Sequence, residues 1–96
     1  MNDSVFRDPD AVEREMNLPA VVPYSFIGEA SPDYEASVVS IIETVVGEDK
    51  IRKRSTQPSG SGKYVAYRFE VFHERFEDVE DIYARVAKLP GTKFAV

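Results

Sequence analysis

The chain has 96 residues, 43% of them hydrophobic, with 12 basic and 17 acidic side chains, one histidine and no cysteine. That is one domain, and so short a chain commits its apolar side chains to a single core, leaving little with which to wall a deep cleft. Disulfides, thiolate nucleophiles and cysteine-based metal centres are excluded, and a lone histidine removes most other catalytic arrangements.

No stretch approaches the roughly 18 consecutive apolar residues of a membrane span. Met1-Asn2-Asp3-Ser4 carries an acid where a secretory signal has basic residues. The expectation is a cytoplasmic protein with no membrane association. A net charge of −5 argues against general affinity for nucleic acid. That charge is unevenly spread. Lys50, Arg52, Lys53, Arg54, Lys63 and Arg68 fall in an acid-free stretch between Lys50 and Phe69, so the remainder, with six bases and all 17 acids, stands at −11.

Residues 1–17 form a polar leader in which Val5, Phe6, Val12 and Met16 are the sizeable apolar groups. Asp8-Pro9 suits a helix start, the carboxylate capping and the proline at the first helical position. A short helix over Pro9 to Met16 is expected, with Val12 and Met16 as an i,i+4 pair. The domain proper is expected over 18–96.

Its first strand is predicted over Val21 to Gly28, with Val22, Tyr24 and Phe26 on one face and Pro23, Ser25 and Ile27 on the other. Pro23 fits an edge or an irregular start. Ser31-Pro32 then opens a helix to Val46, whose apolar stripe is Tyr34, Val38, Ile41, Ile42 and Val45, with Gly47 closing it. The basic segment Asp49 to Thr56 reads as an exposed edge strand, its charges discouraging pairing with another molecule. A glycine- and serine-rich loop leads to Tyr64–His73, where Val65, Tyr67, Phe69 and Val71 alternate with Ala66, Arg68, Glu70 and Phe72. The second helix is predicted over Phe76 to Leu89, with acids at its start and Arg85 and Lys88 near its end. Pro90-Gly91 stops it, and Thr92 to Val96 forms the last strand. The order is βαββαβ after a short N-terminal helical leader. This is an α+β, ferredoxin-like pattern: a four-stranded antiparallel sheet, two helices on one face, the other face open.

Candidate chemistry is sparse. Pro58-Ser59-Gly60-Ser61-Gly62-Lys63 lacks the glycine and the serine or threonine of a phosphate-binding loop, Gln57 and Tyr64 standing in those places, and it joins two strands. It reads as a hairpin loop. His73 is near Glu70, Glu74 and Glu77, but these span a strand end, a turn and a helix start, which does not favour a metal site. No catalytic residue, metal or cofactor is expected. The turn between the first strand and first helix offers Gly28, Glu29, Ser31 and Asp33 as a ligand-binding candidate: glycine permits close backbone approach and the helix start supplies N–H groups. Glu29 and Asp33 oppose an anionic ligand there, and an ordinary capped helix start accounts for the same residues. An interaction surface is expected from Ile27, Arg52, Arg54, Tyr64, Arg68 and Phe72. An apolar patch on an open sheet more often marks a protein partner or self-association than RNA. The third strand lacks the glycine pattern of the RNA-recognition motif.

These features together resemble the YbeD-like family of small bacterial proteins. The residues that carry the likeness are Leu18-Pro19, Ile27-Gly28 with Ala30 and Pro32, Val38-Val39 to Val45, Pro58-Ser59 with Gly62-Lys63-Tyr64, Val79-Glu80 with Ile82-Tyr83, and Leu89. It spans Leu18 to Val96. A histidine and proline that many members carry after the first helix are replaced here by Val46-Gly47-Glu48. The resemblance implies a ferredoxin-like fold similar to ACT regulatory domains, which bind small molecules, often amino acids, and signal through dimer interfaces. ACT-type binding would map onto Gly28 and its neighbours. The expected function is therefore a non-enzymatic ACT-like regulatory or protein-interaction domain. Its expected partner is a protein or a second copy of the chain, with a small metabolite as a further candidate. The alternative is a nucleic-acid-binding module that uses the basic second strand and the open face.

Overall fold

Strand–helix–strand, twice over, is the order along the chain: β1 (Ala20–Glu29), α1 (Pro32–Val46), β2 (Ile51–Pro58), β3 (Tyr64–His73), α2 (Phe76–Ala87) and β4 (Thr92–Ala95). The computed structural model describes residues 18–60 and 62–95. The helix expected over Pro9 to Met16 lies outside them.

α1 and β3 match their predicted bounds. The hydroxyl of Ser31 accepts from the N–H groups of Asp33 (3.1 Å) and Tyr34 (3.4 Å), and Gly47 leaves α1 at a φ of 102°, its N–H bonded to the Glu43 carbonyl. That φ is strained for residues with a Cβ. β2 is displaced two residues toward the loop relative to its prediction, because the Lys50 carbonyl accepts the Phe72 N–H just ahead of the strand and the ladder with β3 continues to Pro58↔Val65. α2 ends at Ala87 rather than Leu89, since the N–H groups of Lys88 and Leu89 bond three residues back, to Arg85 and Val86, as a tightened last turn.

The sheet order is β2-β3-β1-β4, antiparallel throughout. This is the ferredoxin-like βαββαβ arrangement. β1 pairs with β3 along its whole length, whereas β4 meets it only from Phe26 to Gly28. Pro23 therefore stands where β1 has one hydrogen-bonded neighbour, which a residue without an N–H tolerates.

The register Val22↔Val71, Tyr24↔Phe69 and Phe26↔Tyr67 sets one face of the two central strands against the helices. Val38 and Ile42 of α1 and Val79, Ile82 and Val86 of α2 close on it. Phe26, Val38, Ile42, Val71, Ile82 and Val86 are fully buried. Burying a side chain of this size is worth about 1.5–3 kcal/mol, so this layer dominates the stability of the domain. Both helices are spent on it, and nothing among the described residues covers the opposite face of the sheet.

The sheet also sorts charge. α1 and α2 carry seven acids, Asp33, Glu35, Glu43, Glu77, Asp78, Glu80 and Asp81, against Arg85. The basic residues concentrated in β2, β3 and their flanks belong mostly to the other side. No helix among the described residues is long and apolar enough to cross a membrane.

Candidate functional site

The uncovered face is built from residues that alternate with the core. β3 contributes Tyr64, Ala66, Arg68, Glu70 and Phe72, and β1 contributes Val21, Pro23, Ser25 and Ile27 opposite them. Phe94 of β4 sits beside Ile27. Val21 and Phe94 stand out as exposed large apolar residues, at 45% and 56% of full exposure.

Cations hold the aromatic rings at the two ends of this face. At one end the Lys50 ammonium and the Arg52 guanidinium lie 5.5 and 5.4 Å from the Phe72 ring centre. At the other the Lys93 ammonium lies 4.4 Å from the Tyr64 ring and 5.9 Å from that of Phe94, with Lys63 5.8 Å from Tyr64. Each such contact is worth about 0.5–1 kcal/mol at an exposed site. Arg68 lies between the two ends, donating to the Gln57 side chain at 2.6 Å, and Lys53 pairs across from Glu70. Ile27, Tyr64, Ala66, Arg68 and Pro58 line a shallow depression of about 240 Å³.

The structure thus brings together five of the six residues expected on an interaction surface: Ile27, Arg52, Tyr64, Arg68 and Phe72. Arg54 is the correction. A bulge between Ile51 and Lys53 shifts the register by one residue, so Lys53 takes the open face while Arg54 pairs opposite the core residue Phe69. Its guanidinium meets Glu35 of α1 at 3.0 Å on the helix side. Lys53, Lys93 and Phe94 escape sequence reasoning for the same reason. A second irregularity, at Ile27/Gly28, pairs Phe94 with Ile27 but Thr92 with Gly28, so strict alternation along β4 does not place them.

The β1–α1 corner, holding Gly28, Glu29, Ser31 and Asp33, is largely consumed by the protein itself. A Cβ on Gly28 would lie 2.4 Å from Cζ of Tyr34, so the glycine admits the Tyr34 ring. The Tyr34 hydroxyl shares a 2.7 Å bond with Thr92 Oγ1, which donates to the Val86 carbonyl at 2.8 Å. Burial raises the Tyr34 pKa, partly offset by that bond to Thr92. Tyr67 donates to the Glu29 carbonyl at 2.6 Å and accepts from the Ser31 N–H at 3.3 Å. With the Asp33 and Tyr34 N–H groups already on the Ser31 hydroxyl, the helix start has spent its donors on caps. Glu29, Ser31 and Asp33 line an open depression of about 370 Å³ beside Pro90.

His73 is fully buried, its Nε2 2.7 Å from the Tyr24 hydroxyl, and its Nδ1 meets no partner among the described residues. Burial lowers its pKa, opposed by nearby Asp78, and burial likewise pushes the Tyr24 hydroxyl up. Both shifts favour the neutral form. No cluster of three or more His, Asp or Glu side chains among the described residues is placed to hold a metal. Glycine at position 62, with a φ of 77°, turns the β2–β3 hairpin, and Ser59 binds Tyr64 across it through backbone and hydroxyl.

The family model described as a protein of unknown function (DUF493) matches residues 13–96. The chain belongs to the DUF493 family. Two relatives, UPF0250 proteins of Shewanella piezotolerans (strain WP3 / JCM 13877) and Shewanella woodyi (strain ATCC 51908 / MS32), are each 30% identical over 78 residues, covering 81% of this chain and 86% of the relative. This is the small bacterial YbeD-like family that the sequence resembles. Among solved structures, the ACT domain from GTP pyrophosphokinase of Chlorobium tepidum is similar, with a TM-score of 0.63 over 79% of this chain and 94% of that one. At 10% identity this likeness shows the fold of the DUF493 chain as ACT-like.

Proposed function

We propose that this DUF493 protein is a non-catalytic, ACT-like interaction module whose binding surface is the uncovered sheet face. Its partner is a polypeptide segment rich in Asp and Glu with interspersed apolar side chains. The observation that carries this reading is the combination of exposed Val21 and Phe94 with Lys50, Arg52, Lys53, Lys63, Arg68 and Lys93 on or around one face. Apolar area contributes affinity, and the cations select an acidic partner and speed encounter. A second copy of the same face is a poor fit, because like charges would meet. The binding is regulatory in kind: a small interaction domain acts through what it occupies or releases.

Nucleic acid is less well served. A base would stack on Tyr64, Phe72 or Phe94, and the protein's own cations already attend each of these rings: Lys93 the first and third, Lys50 and Arg52 the second.

The test is titration of the isotope-labelled chain with a synthetic Asp/Glu-rich peptide carrying Phe and Leu, against its Asn/Gln counterpart and a uridine oligonucleotide. The acidic peptide is expected to shift the amide signals of Ile27, Ala66, Arg68 and Phe94, to weaken with salt, and to lose about tenfold in affinity in Arg68→Glu plus Lys93→Glu. Shifts confined to the Glu29–Tyr34 corner, or affinity unchanged in that double variant, would overturn the assignment. Preferential binding of the oligonucleotide would replace it with the nucleic-acid reading.

A further inference from the structure

The same face has a candidate occupant within the chain. We propose that the acidic leader, residues 1–17, docks in cis on the uncovered sheet face and competes with the external partner for it. This rests on the reading of that face as a binding surface, and adds that the protein carries its own competitor.

Charge is the first argument. The leader holds Asp3, Asp8, Asp10, Glu13 and Glu15 against Arg7 and Arg14, a net charge of −3. The sheet face presents Lys50, Arg52, Lys53, Arg68 and Lys93 against Glu70, whereas α1 and α2 carry seven acids against Arg85. An acidic segment is drawn to the first and repelled by the second.

Attachment is the second. The leader joins the domain at Leu18-Pro19, immediately before β1, and Val21, the first residue of β1 on the open face, pairs with Phe72 under Lys50 and Arg52. Glu13 and Glu15 lie only a few residues upstream, within reach of those two cations. At the same end Glu74, Arg75 and Asp78 line a depression together with Lys50 and Phe72, and Glu77 in the first turn of α2 pairs with Arg75 at 3.4 Å.

Reach is the third. Seventeen residues extend to about 56–60 Å. The face from Phe72 to Tyr64 is eight strand steps, about 27 Å. Val5, Phe6, Val12 and Met16 supply apolar groups for Phe94, Ile27 and Val21 along that path. A tethered segment meets its site at an effective concentration near the millimolar range, so even a weak intrinsic affinity gives substantial occupancy.

The absence of cysteine makes the test direct. In the 96-residue Ala11→Cys chain a single nitroxide label is expected to broaden the amide signals of Ile27, Ala66, Arg68 and Phe94 at low salt. The signals of Glu80 and Arg85 on α2 should be spared. Salt, or Arg68→Glu plus Lys93→Glu in the same chain, should restore the broadened signals while circular dichroism stays unchanged. A mixture of spin-labelled chain and isotope-labelled chain without the spin label should show no broadening.

Equal broadening of the helices, none anywhere, or broadening that survives the double variant would overturn the proposal. Broadening in the mixed sample would show docking between copies instead, and would overturn the cis arrangement. Leader docking without acidic-peptide binding would refute the partner reading alone. Peptide binding to a face the leader never approaches would refute this inference alone.

Discussion

The two faces of this sheet are made from alternate residues of the same strands and have opposite fates. On the helix side Phe26, Val71 and His73 are wholly buried, and even Arg54 is drawn to a helix carboxylate. On the other side Phe94 keeps over half its full exposure, and cations as well as apolar neighbours attend the rings. One face is the source of stability, and the other is free to vary in chemistry without unfolding the domain.

That division is sharpest in truncation. Phe26→Ala should cost about 3–5 kcal/mol in urea unfolding, because both lost burial and a residual cavity count against it. Phe94→Ala should stay within about 0.5 kcal/mol. A cost at Phe94 comparable to that at Phe26 would break the comparison, since that face would then carry core stability rather than a docking surface alone.

A smaller effect tests the corner that joins the two faces. Gly28→Ala places a Cβ within 2.4–2.8 Å of the Tyr34 ring and hydroxyl, so the ring must leave Thr92 or β1 must move. Overpacking of this kind costs about 1–3 kcal/mol. The expected outcome is a lowered urea midpoint at unchanged slope, and partial rescue by Tyr34→Leu. No rescue would place the strain elsewhere than against Tyr34.

The mildest effect separates buried from exposed titration. His73 is depressed below its ordinary value of 6.5 by burial, so the unfolded chain binds the proton more readily. Stability from this group is complete above about pH 6.5 and is lost as pH falls through the window between the unfolded and folded values. The melting temperature should therefore fall between pH 7.5 and pH 5.5, with a shallower fall in His73→Gln. An identical pH slope in that variant would assign the acid sensitivity to carboxylates.

Most of the fold is legible in the residues. Strict alternation in Tyr64–His73 declares a strand with one buried face, and Ser31-Pro32 with Gly47 brackets α1 by capping chemistry alone. The candidate face is legible in part. Ile27, Tyr64, Arg68 and Phe72 follow from alternation, while Lys53, Lys93 and Phe94 do not, because each lies at or beside a break in register. Gly28 shows the converse: the sequence marks it as a close approach, and the structure identifies Tyr34 as a group that makes it.

Local periodicity and capping depend on neighbours a few residues away, which is why sequence alone determines the strands, the helices and the sign of each face. What only the tertiary structure decides is which distant residues meet. Two register shifts exchange Arg54 for Lys53 and set Phe94 against Ile27, and the β2-β3-β1-β4 order carries Lys93 across the sheet to Tyr64. These outcomes depend on pairing between strands far apart in the chain, and no short window of sequence contains both partners.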